Sequence, residues 1–151
     1  MERAGLNSIE AGYGPSVYFA LRTIGAFLGA FMLAKYSSSK FYKINVAVMV
    51  IALTTLIFAS DKFLIFGLYG VIGFSIANVF PILFGLAIQS RPDKANEISG
   101  LMITGVFGGA ILPFFMGLMS DTLGSQAGAV IVILAGALYL LFAGFIIKTD
   151  H

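Results

Sequence analysis

The sequence predicts an all-α fold: a polytopic membrane bundle of five transmembrane helices. Three observations carry this. The chain of 151 residues is 59% hydrophobic and only 11% charged, where a soluble domain carries about a quarter charged residues. The charges are also segregated. Residues 44–60, 63–90, 98–120 and 122–147 contain no Asp, Glu, Lys or Arg, and residues 11–34 contain only Arg22. As helices these runs are roughly long enough to cross about 30 Å of hydrocarbon. Finally, the runs are continuously apolar, whereas barrel strands alternate apolar and polar over about ten residues.

The expected spans are 15–35, 44–60, 63–89, 98–119 and 124–147, with 1–14 as an outer loop. The first holds Arg22 and a glycine pair. The second contains no Gly and reads as an outer, lipid-facing helix. The third carries Asn78 and Pro81. Pro81 has no N–H, so the carbonyl of Ala77 loses its helical donor. The fourth follows "SRPDKANE" (90–97), a solvated turn in which Asn96 is placed to cap the helix. Asp121 in "SDTLG" is placed as a cap or loop hydrogen-bonder at its other end. The fifth is apolar throughout. Spans one, three and four are glycine-rich and expected to be inner helices.

Several function classes drop out. The formal charge of +2 is small and spread over loops, which does not suggest nucleic acid. There is no Cys, hence no disulfide, thiol nucleophile or thiolate metal site. The single His, His151, is at the end of the chain. No phosphate loop, metal-ligand cluster or nucleophile–base set is visible, so neither an enzyme nor a cofactor is expected. The first apolar run is too long for a cleavable signal peptide and lacks a small-residue cleavage site.

Basic residues set the expected orientation. Lys35, Lys40, Lys43, Arg91, Lys94 and Lys148 fall on one side of an alternating topology, and Arg3 and Lys62 on the other. The first side is expected to be cytoplasmic, with the N-terminus outside and the C-terminus inside.

One pattern occurs twice: "GAFLGA" at 25–30 and "GVFGGA" at 105–110. The copies lie three spans apart, so they cross the membrane in opposite directions. Inverted repeats of three helices build many secondary transporters. Gly25 and Gly29, like Gly105 and Gly109, are also small-xxx-small pairs that let helices approach closely. Packing alone explains them; smooth contacts that allow rocking are the functional addition.

The stretch "IANVFPILFGLAIQSRPDKANEISGLMITGVFGGAILPFFMGLMSDTLG" (76–124) resembles helices ten and eleven of the major facilitator superfamily. Within it, the likeness is to the fucose permease and glucose/galactose permease group. The shared features are an aromatic-Pro-x-x-Phe-x-Leu-x-Ile segment, a loop, a Gly-Gly pair, a Pro (Pro113 here) and "MG…SD…G". "GAFLGAFMLAKYSSSKF" (25–41) is similar to the end of helix eight and its basic loop. The resemblance implies part of the C-terminal six-helix domain, helices eight to twelve, of a proton-coupled sugar importer. Such carriers work by alternating access in the bacterial inner membrane. It implies a sugar, protons, the lipid bilayer and the N-terminal half of the carrier as partners, with the proton-coupling carboxylates in that half. The chain departs from the family where an Arg follows the first Gly: it has Ala26 there, and Arg22 one turn away.

Candidate substrate-binding residues are Asn78, Arg22, Tyr18, Phe80, Thr104 and Phe107. Arg22 shares a stripe with Tyr18, Gly25 and Gly29, and either faces the bundle interior or snorkels to the interface. Asn78 shares a face with Ser75, Gly85 and Gln89. Its amide either meets sugar hydroxyls or joins two helices. Phe80 stands where the family tends to place an aromatic, and Phe80 or Phe107 could stack on a sugar. Thr104 either meets substrate or bonds its own helix. Gly25, Gly29, Gly105, Gly109, Pro81 and Pro113 are packing or hinge candidates, and no metal ligand is expected. Against the sugar importer stand two alternatives: a drug or metabolite exporter of the same superfamily, and a five-span scaffold without a pathway.

Overall fold

The computed structural model describes residues 8–146. Expectations that fall on 1–7 and 147–151, including Arg3, Lys148 and His151, lie outside the described residues. Among the described residues there is no strand, and five helical segments are long and apolar enough to cross a membrane. They are built from α1 (Ser8–Leu33), α2 (Ser38–Phe58), α3 (Lys62–Ile76), α4 (Val79–Ser90), α5 (Ala95–Val106), α6 (Gly108–Leu123) and α7 (Ala127–Ile146). Span three combines α3 and α4. Span four combines a 3₁₀ turn at Pro92–Lys94 with α5 and α6.

Helix ends follow local chemistry. The Asp61 side chain accepts from the Leu64 N–H at 2.8 Å and caps α3. Gly124, at φ 57°, closes α6 in the left-handed conformation that glycine tolerates best. The cap at this end is therefore Gly124. Asp121 lies within the last turn of α6 and contributes its backbone carbonyl to the Gly124 N–H. Asn96 is not a cap either. Pro92 opens the 3₁₀ turn, which starts the helical path early and leaves Asn96 inside the first turn of α5. α1 is helical from Ser8, upstream of the expected start at 15, and its Gly14 seats against the Tyr69 and Phe66 rings of α3.

Two spans are interrupted. At Asn78 the backbone sits at φ −102°, ψ −7°, between α3 and α4, just before the proline that removes a helical donor. At Phe107, i→i+3 bonds join Phe107 to Thr104 and Ala110 to Phe107. This local tightening falls inside the second glycine pattern.

The helices pack in a row: α1 on α3, α3 on α2, α2 on α7 and α7 on α6, with α4 against α2 and α5. The core is centred on Phe41, Tyr42, Val46, Met49, Ala52 and Leu53 of α2. The glycine-free span two is thus the hub of the chain, not an outer helix. Its large side chains, Phe41, Tyr42, Met49 and Leu53 among them, fill the space between its neighbours. Span four, expected to be inner, has no buried residue within this chain and forms one edge of the row.

Close backbone contact occurs at α1–α3 and at α6–α7, where Gly128 meets the Met119 backbone, while at α2–α7 Gly144 makes room for the Tyr42 ring. The Tyr42 hydroxyl also donates to the Leu140 carbonyl at 2.8 Å. Lipid is as apolar as these side chains, so such packing and interhelical hydrogen bonds hold the row together.

Candidate functional site

The most closely built contact joins spans one and three. Gly25 of α1 has no room for a side chain: a Cβ there would stand 2.8 Å from the Phe74 carbonyl oxygen and 2.9 Å from its Cα. One turn on, the Asn78 side chain lies over Gly29. α3 reciprocates with Gly70 under Leu21 and Gly73 under the Tyr18 carbonyl. The face of α1 turned to α3 therefore runs Gly14, Tyr18, Leu21, Gly25, Gly29. Arg22 is beside this stripe, not on it. It is exposed, between the exposed Phe19 and Ala26, and no described residue pairs with it.

Asn78 is 3% exposed, and its Nδ2 donates to the Gly25 carbonyl at 2.9 Å. Of its two sequence readings, the interhelical bond is the one present here. Pro81 removes a helical donor just after it, Asn78 stands at the junction of α3 and α4, and its amide turns to the neighbouring backbone. Ser75, one turn earlier, is buried, whereas Gly85 is half-buried and Gln89 is exposed, so the expected common face is not a single surface.

The other candidates lie elsewhere. Phe80 is 45% exposed and stacks on Phe84, with centroids 5.9 Å apart, and Pro81 is exposed beside it. The Thr104 hydroxyl donates to the Gly100 carbonyl of its own helix at 2.8 Å. Phe107 and Pro113 are exposed, and Gly105 and Gly109 have nothing within 4 Å of a notional Cβ. Tyr18 is half-buried, its ring edge-on to Phe19 at 5.1 Å. Asn78, Tyr18 and Arg22 thus belong to the α1–α3 edge of the row, and Thr104 and Phe107 to the span-four edge. The chain does not bring them into one site.

A lateral cleft of about 350 Å³ opens between α1 and α2, with α3 as its floor. Leu21, Ile44, Asn45, Val48 and Ser75 are among its lining residues, and none of the candidate substrate residues is. Its surface is almost entirely carbon, unsuited to a sugar, whose hydroxyls need donors and acceptors. Asn45, which sequence reasoning passed over, is buried here and spends its amide on the Phe41 carbonyl at 3.0 Å. A lone amide within an apolar span was the signal available.

No family model matches the chain, and no solved structure matches it. Among curated proteins, it is 24% identical over 143 residues to a glucose/galactose transporter of Brucella abortus, an alignment covering 95% of this chain and 34% of that protein. It is 28% identical over 106 residues to a putative glucose/galactose transporter of Helicobacter pylori, covering 70% of this chain and 26% of that one. The chain spans about a third of the length of the curated relatives it matches. This similarity agrees with the resemblance carried by 25–41 and 76–124.

Proposed function

We propose that the chain is the C-terminal part of a secondary active carrier importing a sugar of the fucose, glucose or galactose class with protons, by alternating access. The observation that carries this is the similarity to a glucose/galactose transporter across 95% of the chain. The antiparallel placing of the two glycine patterns supports it. In this reading the protein is not an enzyme. It sits in the bacterial inner membrane with the N-terminus outside and the C-terminus in the cytoplasm, as the basic connections suggest.

The chain's own residues would then do three things. The α1–α3 contact, tied by Asn78 and seated on Gly25 and Gly29, moves as one rigid element during rocking. Arg22, exposed within a span, faces either the sugar or a charge in the rest of the carrier. Phe80 and Phe107 offer exposed aromatic faces for a sugar ring. Residues 12–33, 38–58 and 62–90 contain no Asp or Glu, and Asp93, Glu97 and Asp121 lie near the ends of span four. The proton-carrying acid therefore belongs to the rest of the carrier.

The test is uptake of labelled glucose, galactose and fucose by proteoliposomes holding the complete carrier that contains this segment. Saturable uptake driven by an imposed inward proton gradient is expected. Uptake that ignores the gradient would remove the proton coupling, and no uptake of any of the three would remove the substrate class.

A further inference from the structure

We infer that the cleft between α1 and α2 is a binding site for a phospholipid with an anionic headgroup. The walls are Leu21 and Met32 of α1 and Phe41, Ile44 and Val48 of α2, and the floor is α3. From Leu21 to Met32 the cleft runs roughly 16 Å along α1 at 1.5 Å per residue. That is about half the 30 Å thickness of the hydrocarbon core, one leaflet's depth. The opening is lateral and the lining is carbon. The one amide on the wall, Asn45, is already bonded to its own helix. The shape and chemistry suit an acyl chain.

The end of the cleft identifies the headgroup. Lys35 lies in the turn that follows α1, three residues beyond Met32, and Lys40 stands one turn before Ile44 on α2, so both sit in the connection at this end of the cleft. Both are exposed, and no described residue forms an ion pair with either. No Asp or Glu occurs between residues 34 and 60 to offset them. α2 also begins here, with no acid in its first turn and no side-chain cap from Ser37, so its free N–H groups add positive potential at the same mouth. Spans four and five, by contrast, pack directly, with Gly128 of α7 against the Met119 backbone of α6.

The experiment is native mass spectrometry of the full chain released from nanodiscs of equal phosphatidylglycerol and phosphatidylcholine. The wild type is expected to retain phosphatidylglycerol preferentially. Lys35→Gln with Lys40→Gln should cut that retention about 10- to 30-fold, the effect of two lysines near an anionic surface. Val48→Trp, which plugs the cleft, should abolish it, and Ile44→Trp at a more exposed wall position provides a second plug should the first misfold. Equal retention of both lipids, or retention unchanged in a folded plugged variant, would overturn the site. So would a disulfide between two copies carrying Val48→Cys, since a second chain would then cover the cleft. None of these readouts depends on sugar transport.

Discussion

Asn78 reaches from the break in span three to the backbone of span one, its amide 2.9 Å from the Gly25 carbonyl oxygen. The break in span three and the contact meet at this one residue. Pro81 costs the helix a hydrogen bond, and the residue freed from helical geometry spends its side chain on the neighbouring helix. Asn78→Ala is expected to lower the thermal stability of the folded chain in detergent by about 0.6 kcal/mol, and at most about 1.7, the range for interhelical bonds in lipid. Sugar affinity of the complete carrier should change less than threefold. A large affinity loss at unchanged stability would make Asn78 a substrate ligand instead.

The two glycine patterns should respond differently to the same substitution. Gly25→Ala drives a methyl against the Phe74 backbone, which cannot yield without separating α1 from α3. A cost of about 1–3 kcal/mol is expected, as for overpacked interiors. Gly105→Ala meets nothing within this chain, and should be neutral or stabilise by up to about 1 kcal/mol through helix propensity. Unfolding of the two variants side by side checks the contrast, and equal effects would contradict the packing described here.

Arg22 separates stability from function. It is exposed and no described residue pairs with it. Arg22→Gln should therefore leave the melting temperature of the chain within 1–2 °C, an effect of about 0.5 kcal/mol or less. In the complete carrier the same change should reduce sugar uptake at least about tenfold, since charges within spans are costly and retained for function. Unimpaired uptake would instead support a side chain that snorkels to the interface.

Orientation is open to direct labelling, because the chain has no native cysteine. Ser37 and Ser60 are exposed in the α1–α2 and α2–α3 connections. In intact cells an impermeant thiol reagent should label Ser60→Cys and spare Ser37→Cys until the membrane is opened. The reverse pattern would invert the topology.

Much of this protein was legible along the chain. The five spans stood out because charge cannot be left in hydrocarbon, so uninterrupted apolar runs bounded by Lys, Arg and Asp mark helices almost by length alone. Pro81 announced the break in span three through its missing N–H, although the position and orientation of Asn78 were left open. The glycine spacing announced close approach, but not the partner. Gly25 and Gly29 found Phe74 and Asn78, while the same spacing at Gly105 and Gly109 found nothing in this chain. Nor could sequence place Arg22 beside the packed stripe when Leu21, its neighbour, fits it better. The burial of span two was the hardest to read. In water an apolar face must turn inward, but in a bilayer lipid satisfies it as well as protein does. A helix such as α2, free of charge from residue 44 onward, therefore carries no charge pattern to say which side faces its neighbours. Only the tertiary structure decided that Tyr42, Val46 and Met49 face the core, because that choice rests on how side-chain shapes fit together.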